Sequence, residues 1–350
     1  MKKDKKNKRP FKLPPYTVTK VISTLSQTQD WGIKQNNLPE AWKTTRGENT
    51  VVMILDTGHS NHIDLKGGIL DDKCITTIDK NIEDAQFHST HCQGIIGARD
   101  NDLGVIGVAP ECKIITVKVL GDDGSGSFEA IIKGLEYAAK IKPDVVSMSL
   151  GAPAGSTEMH NAIKKLYDLN IPCVCAAGNE GPDSPVNYPG KYPECITVAA
   201  YDKNQNIAYF SSAGKEVFIA APGVDIYSTY GNNSYAKLSG TSMATPFIAG
   251  IVALLISKHK KQEAATGKND CKTVEDIKTH LKKYAYDKGK VGQDNNWGWG
   301  VLDVQKLIEA DEVNQPNTPM PTPTPPVVEP PKTSKSFWQR MRDFWKNLWN

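Results

Sequence analysis

Residues 51–58 have the sequence VVMILDTG, in which five apolar residues lead into a turn-forming Asp-Thr-Gly. A continuous apolar run of this length predicts a strand that is buried on both faces. Similar runs follow at residues 112–120, 144–150 and 171–177, and helical periodicity separates them at residues 128–141 and 158–169. Because buried strands that alternate with helices build parallel sheets, we expect an α/β fold, with a mostly parallel central sheet and helices on both faces.

Polar side chains stand where three of these strands end. Asp56 follows the first run, Ser149 lies at the end of the third, and Asn179 follows the fourth. Sites in parallel sheets form at the carboxyl ends of the strands, which meet at one edge. We therefore expect these three side chains to share a site.

Ser242 precedes an apolar stretch, residues 247–256, that predicts a buried helix. A serine in the first turn of such a helix is most often an N-cap. The alternative is a nucleophile whose hydroxyl lies in the positive potential of the helix N-terminus. Pro246 is compatible with this helix in the first turn, whereas a later position predicts a kink.

A serine nucleophile needs a base, and the segment His88-Ser89-Thr90-His91 offers one. Two other interpretations exist, namely polar residues at a helix start and a metal pair formed by His88 and His91. The metal pair lacks the glutamate of the common zinc-binding helix pattern. Asp56 could hold the tautomer of His88, although an aspartate after a strand is usually a turn former.

The three residues occur in the order Asp56, His88, Ser242, which is the order of the subtilisin triad. The surrounding segments are DTG at 56–58, H-x-TH at 88–91, SLG at 149–151, AAGNEG at 176–181 and GTSMATP at 240–246. Through these five motifs the chain resembles the subtilisin-like serine proteases, the S8 family, over about residues 26 to 308. In layout it is most similar to the intracellular branch of that family.

The resemblance implies a subtilisin-like α/β fold and a serine endopeptidase of the EC 3.4.21 class. It implies that Ser242 is the nucleophile and that His88 is the general base and then the acid. Asp56 would orient His88, and Asn179 would be the oxyanion-hole side chain. Peptide bonds of proteins or peptides would be hydrolysed through an acyl-enzyme.

The same resemblance implies two edges that clamp an extended peptide by β-augmentation. One edge is Ser149, Leu150 and Gly151, the other is Gly124, Ser125 and Gly126, and Asn187 lies near the base of the S1 pocket. With no buried charge evident there, we expect a broad preference for large apolar P1 residues, and Glu180 at the rim would tolerate basic ones. The alternatives are a narrow processing protease for one partner and a weakly active protein-binding module.

Calcium is the cofactor that the resemblance implies, in a structural role. The implied ligands are Gln27, Asp64, Arg99, Asn101, Leu103 and Val105. Oxygen donors from side chains and backbone carbonyls are what calcium takes. Without the resemblance, residues 99–105 would be interpreted as a polar surface loop.

Composition excludes several classes of protein. The chain has 350 residues, of which 39% are apolar, so it can bury a sizeable core, and its formal net charge of +3 argues against a nucleic-acid-binding protein. No segment reaches the roughly 18 consecutive apolar residues of a membrane span. The basic N-terminus has no apolar stretch after it and does not predict a secretory signal. We therefore expect a cytoplasmic protein in which the seven cysteines are reduced thiols.

The sequence predicts four regions. Residues 1–25 form a short basic extension, 26–310 the subtilisin-like peptidase domain, 311–335 a proline-rich linker and 336–350 an amphipathic helix. The segment Leu13-Pro14-Pro15-Tyr16 resembles an element that lies across the active site in the intracellular branch. Residues 1–25 are therefore expected to be an inhibitory propeptide, the alternative being an ordinary leader.

The C-terminal segment alternates apolar and polar side chains at helical spacing. Its apolar positions are Phe337, Trp338, Met341, Phe344, Trp345, Leu348 and Trp349. Arginines and a lysine on the other face complete the pattern of a basic interfacial helix. Residues 337–349 are expected to bind a membrane surface peripherally, or else to dock in a groove of a partner or on the enzyme itself.

Overall fold

The structure, a computed structural model, describes residues 9–22, 26–75 and 79–310. The predicted linker at 311–335 and the predicted helix at 336–350 lie outside the described residues. The four-region division of the chain therefore stays a prediction.

Strands and helices alternate through most of the described chain. In order they are β1 (Phe11–Lys12), β2 (Thr17–Ile22), α1 (Trp31–Gln35), α2 (Leu38–Ala41), β3 (Val51–Asp56), β4 (Ile69–Cys74), α3 (His88–Gly97), β5 (Lys113–Lys118), β6 (Ser125–Gly126), α4 (Phe128–Ile141), β7 (Val145–Met148), α5 (Thr157–Asp168), β8 (Cys173–Ala176), β9 (Ile196–Tyr201), β10 (Val217–Pro222), β11 (Ile226–Tyr230), β12 (Ser234–Ser239), α6 (Thr241–Thr266), α7 (Val274–Lys283), β13 (Ala285–Tyr286), β14 (Val301–Leu302) and α8 (Val304–Glu309). A short 3₁₀ helix, Ile63–Leu65, precedes β4.

The main sheet has nine strands in the order β13-β14-β10-β9-β8-β7-β3-β5-β4. Every neighbouring pair in it is parallel except β13 with β14. The prediction of an α/β fold with a mostly parallel sheet is confirmed. Two smaller antiparallel sheets accompany it, one of β11, β12 and β2 and one of β1 and β6.

Helices cover both faces of the main sheet, as the continuous apolar strands predicted. On β3, Val52 and Ile54 pack into the core that contains α3 and α6. Met53 and Leu55 point to the opposite core, which contains α4 and α5. Because successive side chains of a strand point to opposite faces, β3 can only be this apolar if helices lie on both sides.

Helix α6 passes through the middle of the fold. By length and hydropathy it could cross a membrane, but 94% of its most apolar window is buried inside the protein, so it is a core helix. Pro246 is its sixth residue and lies inside the helix. Ser242 is its second residue, in the first turn, where the sequence placed it.

Candidate active site

Asp56 and His88 form a buried pair at the carboxyl edge of the main sheet. Asp56 is the last residue of β3, His88 is the first residue of α3, and His88 Nδ1 lies 2.9 Å from Asp56 Oδ1. Both side chains are fully buried. Burial by itself lowers the pKa of His88, but the charge and hydrogen bond of Asp56 together with the neighbouring Cys92 outweigh burial, so the pKa lies well above its ordinary value.

Asp84 fixes the start of α3, and the sequence analysis missed it. Its Oδ2 accepts hydrogen bonds from the backbone N–H and the hydroxyl of Thr90, both at 2.7 Å, while its Oδ1 accepts the hydroxyl of Thr57 at 2.7 Å. One carboxylate therefore joins the first turn of α3 to the end of β3. An acid four residues before the helix start was the only signal, and it is a weak one.

His91 does not converge with His88 on a metal. Its Nε2 lies 3.0 Å from the carbonyl oxygens of Ile226 and Ala236, which ties α3 to β11 and β12. Burial lowers the pKa of His91 to about 3, so the ring is neutral and donates this hydrogen bond. The His-x-x-His pair is thus one histidine beside Asp56 and one packing histidine.

Pro246 determines what the carbonyl of Ser242 binds. In an α-helix this oxygen would accept the N–H four residues later, but proline has none. The hydroxyl of Ser149 donates to it instead, at 2.9 Å. In turn, the hydroxyl of Ser242 lies 3.5 Å from the carbonyl oxygen of Ser149, so two hydrogen bonds link these residues.

Asn179 is held firmly by the residue before the serine. Its Oδ1 accepts the backbone N–H and the hydroxyl of Thr241, both at 2.8 Å. Because both bonds use the oxygen, the Nδ2 group is left pointing into the cleft. There it donates to the carbonyl oxygen of Pro15 at 2.9 Å.

The N-terminal segment lies in the cleft between the two predicted peptide-binding edges. Phe11 and Lys12 of β1 pair antiparallel with Gly126 and Ser125 of β6. On the other side, Lys12 and Gly151 exchange both backbone hydrogen bonds, at 3.0 and 3.1 Å. The segment is therefore the middle strand between the two edges that the sequence predicted.

Beyond β1 the segment continues along one edge and then reaches the candidate catalytic residues. Leu13 N–H donates to the carbonyl of Gly124 at 3.1 Å, and Pro15 follows with its carbonyl on Asn179. The ring of Tyr16 lies over His88, with 5.0 Å between the centroids. His88 Nε2 is buried and has no hydrogen-bond partner in the described part of the chain.

The residues predicted for the S1 pocket lie beside Gly151. Asn187 donates from Nδ2 to Glu180 Oε2 at 3.1 Å, and the Ser212 hydroxyl donates to the same oxygen at 3.0 Å. The backbone N–H of Asn187 donates to the carbonyl of Ala177 at 3.0 Å. Leu150 is fully buried, so it contributes to the wall by packing.

All six residues predicted as calcium ligands lie in one cluster. Asp64 accepts the N–H of Val105 at Oδ2 and the N–H of Arg99 at its carbonyl. Gln27 Nε2 donates to the carbonyl of Arg99 at 3.0 Å, and Asn101 Oδ1 accepts the N–H of Leu103 at 3.0 Å. Asp64 Oδ1 is buried without a hydrogen-bond partner among the described residues. A bare buried carboxylate oxygen among carbonyls and amides fits a hard cation.

Comparison with known proteins identifies the family of this chain. The model of the subtilase family matches residues 47–300. Subtilisin DY of Bacillus licheniformis is 43% identical over 228 residues, which is 64% of this chain and 82% of that protein. The major intracellular serine protease of Bacillus subtilis (strain 168) is 41% identical over 258 residues, 71% and 81% of the two chains. Thermitase of Thermoactinomyces vulgaris is 40% identical over 233 residues, 66% and 83%.

We expect Asp84→Ala to destabilise the protein by about 2–3 kcal/mol, since it removes a helix cap and leaves buried donors on Thr57 and Thr90 unpaired. Urea unfolding measures the loss as a lower midpoint at an unchanged slope. Asp183→Ala, at an exposed position, is the matched control. A midpoint for Asp84→Ala equal to that of the control would contradict the capping role.

Proposed function

The chain belongs to the subtilase family and is a serine endopeptidase, and we propose that Ser242 attacks the peptide carbonyl, with His88 as general base and Asp56 as the group that orients it. Its substrates are proteins or peptides. The observation that carries this assignment is the backbone carbonyl of Pro15, held by Asn179 in front of the Asp56–His88 pair. A substrate carbonyl at the same place would meet the same groups.

Proton transfer follows from the hydrogen bonds of His88. Its Nδ1–H donates to Asp56, which leaves Nε2 as the acceptor for the hydroxyl proton of Ser242. This transfer requires that the hydroxyl of Ser242 turn from the carbonyl of Ser149 toward His88. Asp56 stabilises the imidazolium that forms, in line with the raised pKa of His88. The imidazolium then protonates the leaving amine, and water hydrolyses the acyl-enzyme by the same route.

Charge on the carbonyl oxygen is stabilised by Asn179. Its amide is fixed in place by Thr241 before the reaction begins, so no reorganisation is needed as the oxyanion forms. For specificity, we propose a broad preference for large apolar P1 residues. Glu180, at the rim of this pocket, is already engaged by Asn187 and Ser212, which leaves it a secondary contact for basic P1 residues.

Residues 9–22 are proposed to inhibit the enzyme. They occupy both peptide-binding edges and place two prolines, Pro14 and Pro15, at the catalytic residues. Proline has no N–H and a fixed φ, so this backbone differs from that of a cleavable peptide at the reacting centre. Arg9 adds an ion pair with Asp123 at 2.8 Å.

A calcium ion is proposed to bind at Gln27, Asp64, Arg99, Asn101, Leu103 and Val105. When bound, it would hold the N-terminal part of the domain to the loop at 99–105. In the same terms we propose a cytoplasmic location and a membrane-surface or partner contact for residues 337–349, which rests on their basic amphipathic sequence alone.

Replacement of the triad residues tests the reaction. Ser242→Ala and His88→Ala are each expected to reduce kcat about 10⁶-fold, the magnitude established for the subtilisin triad, and the double variant to lose little more. Asp56→Asn should also lower the pKa of His88, because burial then acts without the opposing charge. Peptide hydrolysis measures the loss of rate, and its pH profile measures the pKa of His88. Labelling by a fluorophosphonate reports the reactivity of Ser242. Additive losses in the double variant, or labelling that persists without Ser242, would refute the assignment.

Removal of the N-terminal segment tests inhibition. A chain that begins at Ser26 is expected to show at least about a tenfold higher initial rate than the full chain, because only molecules with an open cleft react. Progress curves with intact-mass analysis measure the rate and any processing. Full-chain Ser242→Ala, which should keep its mass, is the control. Equal initial rates without processing would dismiss the proposal.

Chelation tests the calcium site. A ligand that binds only the folded state adds RT ln(1 + [L]/Kd) to the free energy of unfolding, about 2.7 kcal/mol at a hundredfold excess over Kd. EDTA should therefore lower the Tm by several degrees. Asp64→Asn keeps an acceptor for Val105 but loses the charge, so its Tm should no longer respond. Asp72→Asn, on the exposed side of β4, should respond like the parent. If EDTA leaves the Tm of the parent unchanged, residues 99–105 are an ordinary surface loop and the calcium site is refuted.

A further inference from the structure

Strand β2 covers the free edge of β12. The two strands pair antiparallel over five residue pairs, from Thr17 opposite Ser239 to Ile22 opposite Tyr235. On its other edge β12 pairs with β11, so β12 is the middle strand of this small sheet. If residues 17–22 leave, β12 presents a row of unpaired backbone groups, which is a template for another extended chain.

The position of Pro15 shows which side of a substrate the edge of β12 would meet. Asn179 holds the carbonyl of Pro15, so everything that follows Pro15 lies on the side of the leaving amine. Tyr16 is the first residue on that side and Thr17 the second. The strand that pairs with β12 therefore runs along the path that the leaving part of a substrate would take.

The edge of β12 is rigid and connected to the nucleophile. Ala236 and Leu238 are fully buried in the core between the main sheet and α6. After Ser239 and Gly240 the chain enters α6 directly, with Ser242 as the second helical residue. A chain bound along β12 is thus held in a fixed register relative to the catalytic serine.

We infer that β12 is a binding site for the leaving side of polypeptide substrates, reaching about seven residues beyond the cleaved bond, and that Lys237 there selects an acidic side chain. This inference rests on the proposed function, because it needs cleavage at the carbonyl held by Asn179. Backbone pairing makes the site tolerant of sequence, and Lys237 supplies the preference.

The register assigns the position that Lys237 would select. Counting from Pro15 as the last residue before the bond, residue 20 is the fifth residue after it, and it lies opposite Lys237. Directly opposite residues of an antiparallel pair share a face and interact when they carry opposite charges. Lys237 points away from the core face of β12 that carries Ala236 and Leu238, and its side chain is half-buried.

The neighbouring position has a different preference. The fourth residue, Thr19, donates its hydroxyl to Asp225 Oδ1 at 2.7 Å. A glutamate is therefore expected to be favoured at the fifth position and disfavoured at the fourth. This sign change between adjacent residues would not arise from a general attraction of acidic peptides to a basic protein.

Internal competition between peptides tests the length of the site in the full chain. Two peptides with the same residues up to the second position after the bond, one ending there and one continuing to the seventh, are consumed in one mixture. The ratio of their rates is the ratio of kcat/KM and does not depend on how many molecules have an open cleft. We expect the longer peptide to be favoured on the order of tenfold, the gain from a few added backbone hydrogen bonds.

N-methylation of the longer peptide tests the pairing itself. Only alternate backbone N–H groups of an edge strand face its neighbour. The β2–β12 register is irregular at the fourth residue and regular from the fifth residue on. Methylation at one of two adjacent residues, the fifth or the sixth, should therefore abolish the gain, and methylation at the other should leave most of it. Equal effects at both positions, or no advantage of length, would overturn the β12 site.

A charge reversal tests Lys237. The parent should prefer glutamate over lysine at the fifth position by about two- to fivefold, and Lys237→Glu should invert that preference. Lys140→Glu, an exposed change of the same charge on α4, should keep the parental preference. A preference that persists in Lys237→Glu, or that is lost equally in both variants, would overturn the role of Lys237. If no peptide is cleaved by the parent or by a chain that begins at Ser26, the proposed function fails instead.

Discussion

The buried carboxylate of Asp56 is the constraint on which the site depends. It lies at the end of a strand covered on both faces, so each of its hydrogen bonds must come from the protein. The N–H of Thr57 supplies one at 2.8 Å and His88 supplies another, both to Oδ1, while Oδ2 has no hydrogen-bond partner among the described residues. That requirement places the first residue of α3 at the end of β3. Asp84 holds the two elements together, because its carboxylate accepts hydrogen bonds from Thr57 after β3 and from Thr90 in α3. Since α3 packs against α6, the position of the serine follows from the same constraint.

Backbone groups, rather than side chains, define how the cleft binds a peptide. The N-terminal segment meets residues 124–126 and 151 through N–H and carbonyl groups, and it meets Asn179 through a carbonyl. Such pairing carries little sequence information, so one cleft can accept both this segment and many substrates. A chain that inhibits by this route must differ from a substrate where bonds are made and broken. The prolines at 14 and 15 lie at that place.

Sequence predicted the elements whose pattern is local. The apolar runs gave β3, β5, β7 and β8, periodicity gave α4 and α5, and five ordered motifs brought Asp56, His88, Asn179 and Ser242 to one edge. The sequence could not predict that β2 pairs with β12, because pairing between backbone groups leaves no pattern of residue types. It missed Asp84, whose partners are a hydroxyl 27 residues away and the start of a helix. The sequence analysis found Pro246 compatible with the first turn of the helix and predicted a kink for any later position. In the structure Pro246 is the sixth residue of α6, beyond the first turn.

The position of Pro246 links binding to chemistry. Its missing N–H leaves the carbonyl of Ser242 for the hydroxyl of Ser149, while the carbonyl of Ser149 faces the hydroxyl of Ser242. Ser149 also begins the edge that pairs with a bound chain through Gly151. A peptide that pairs with this edge would therefore act on the residue that holds Ser242 at both its hydroxyl and its carbonyl. An alanine at position 246 would supply the N–H, satisfy the helix internally and weaken that link, so a residue that looks unfavourable for a helix is the one that couples the helix to the cleft.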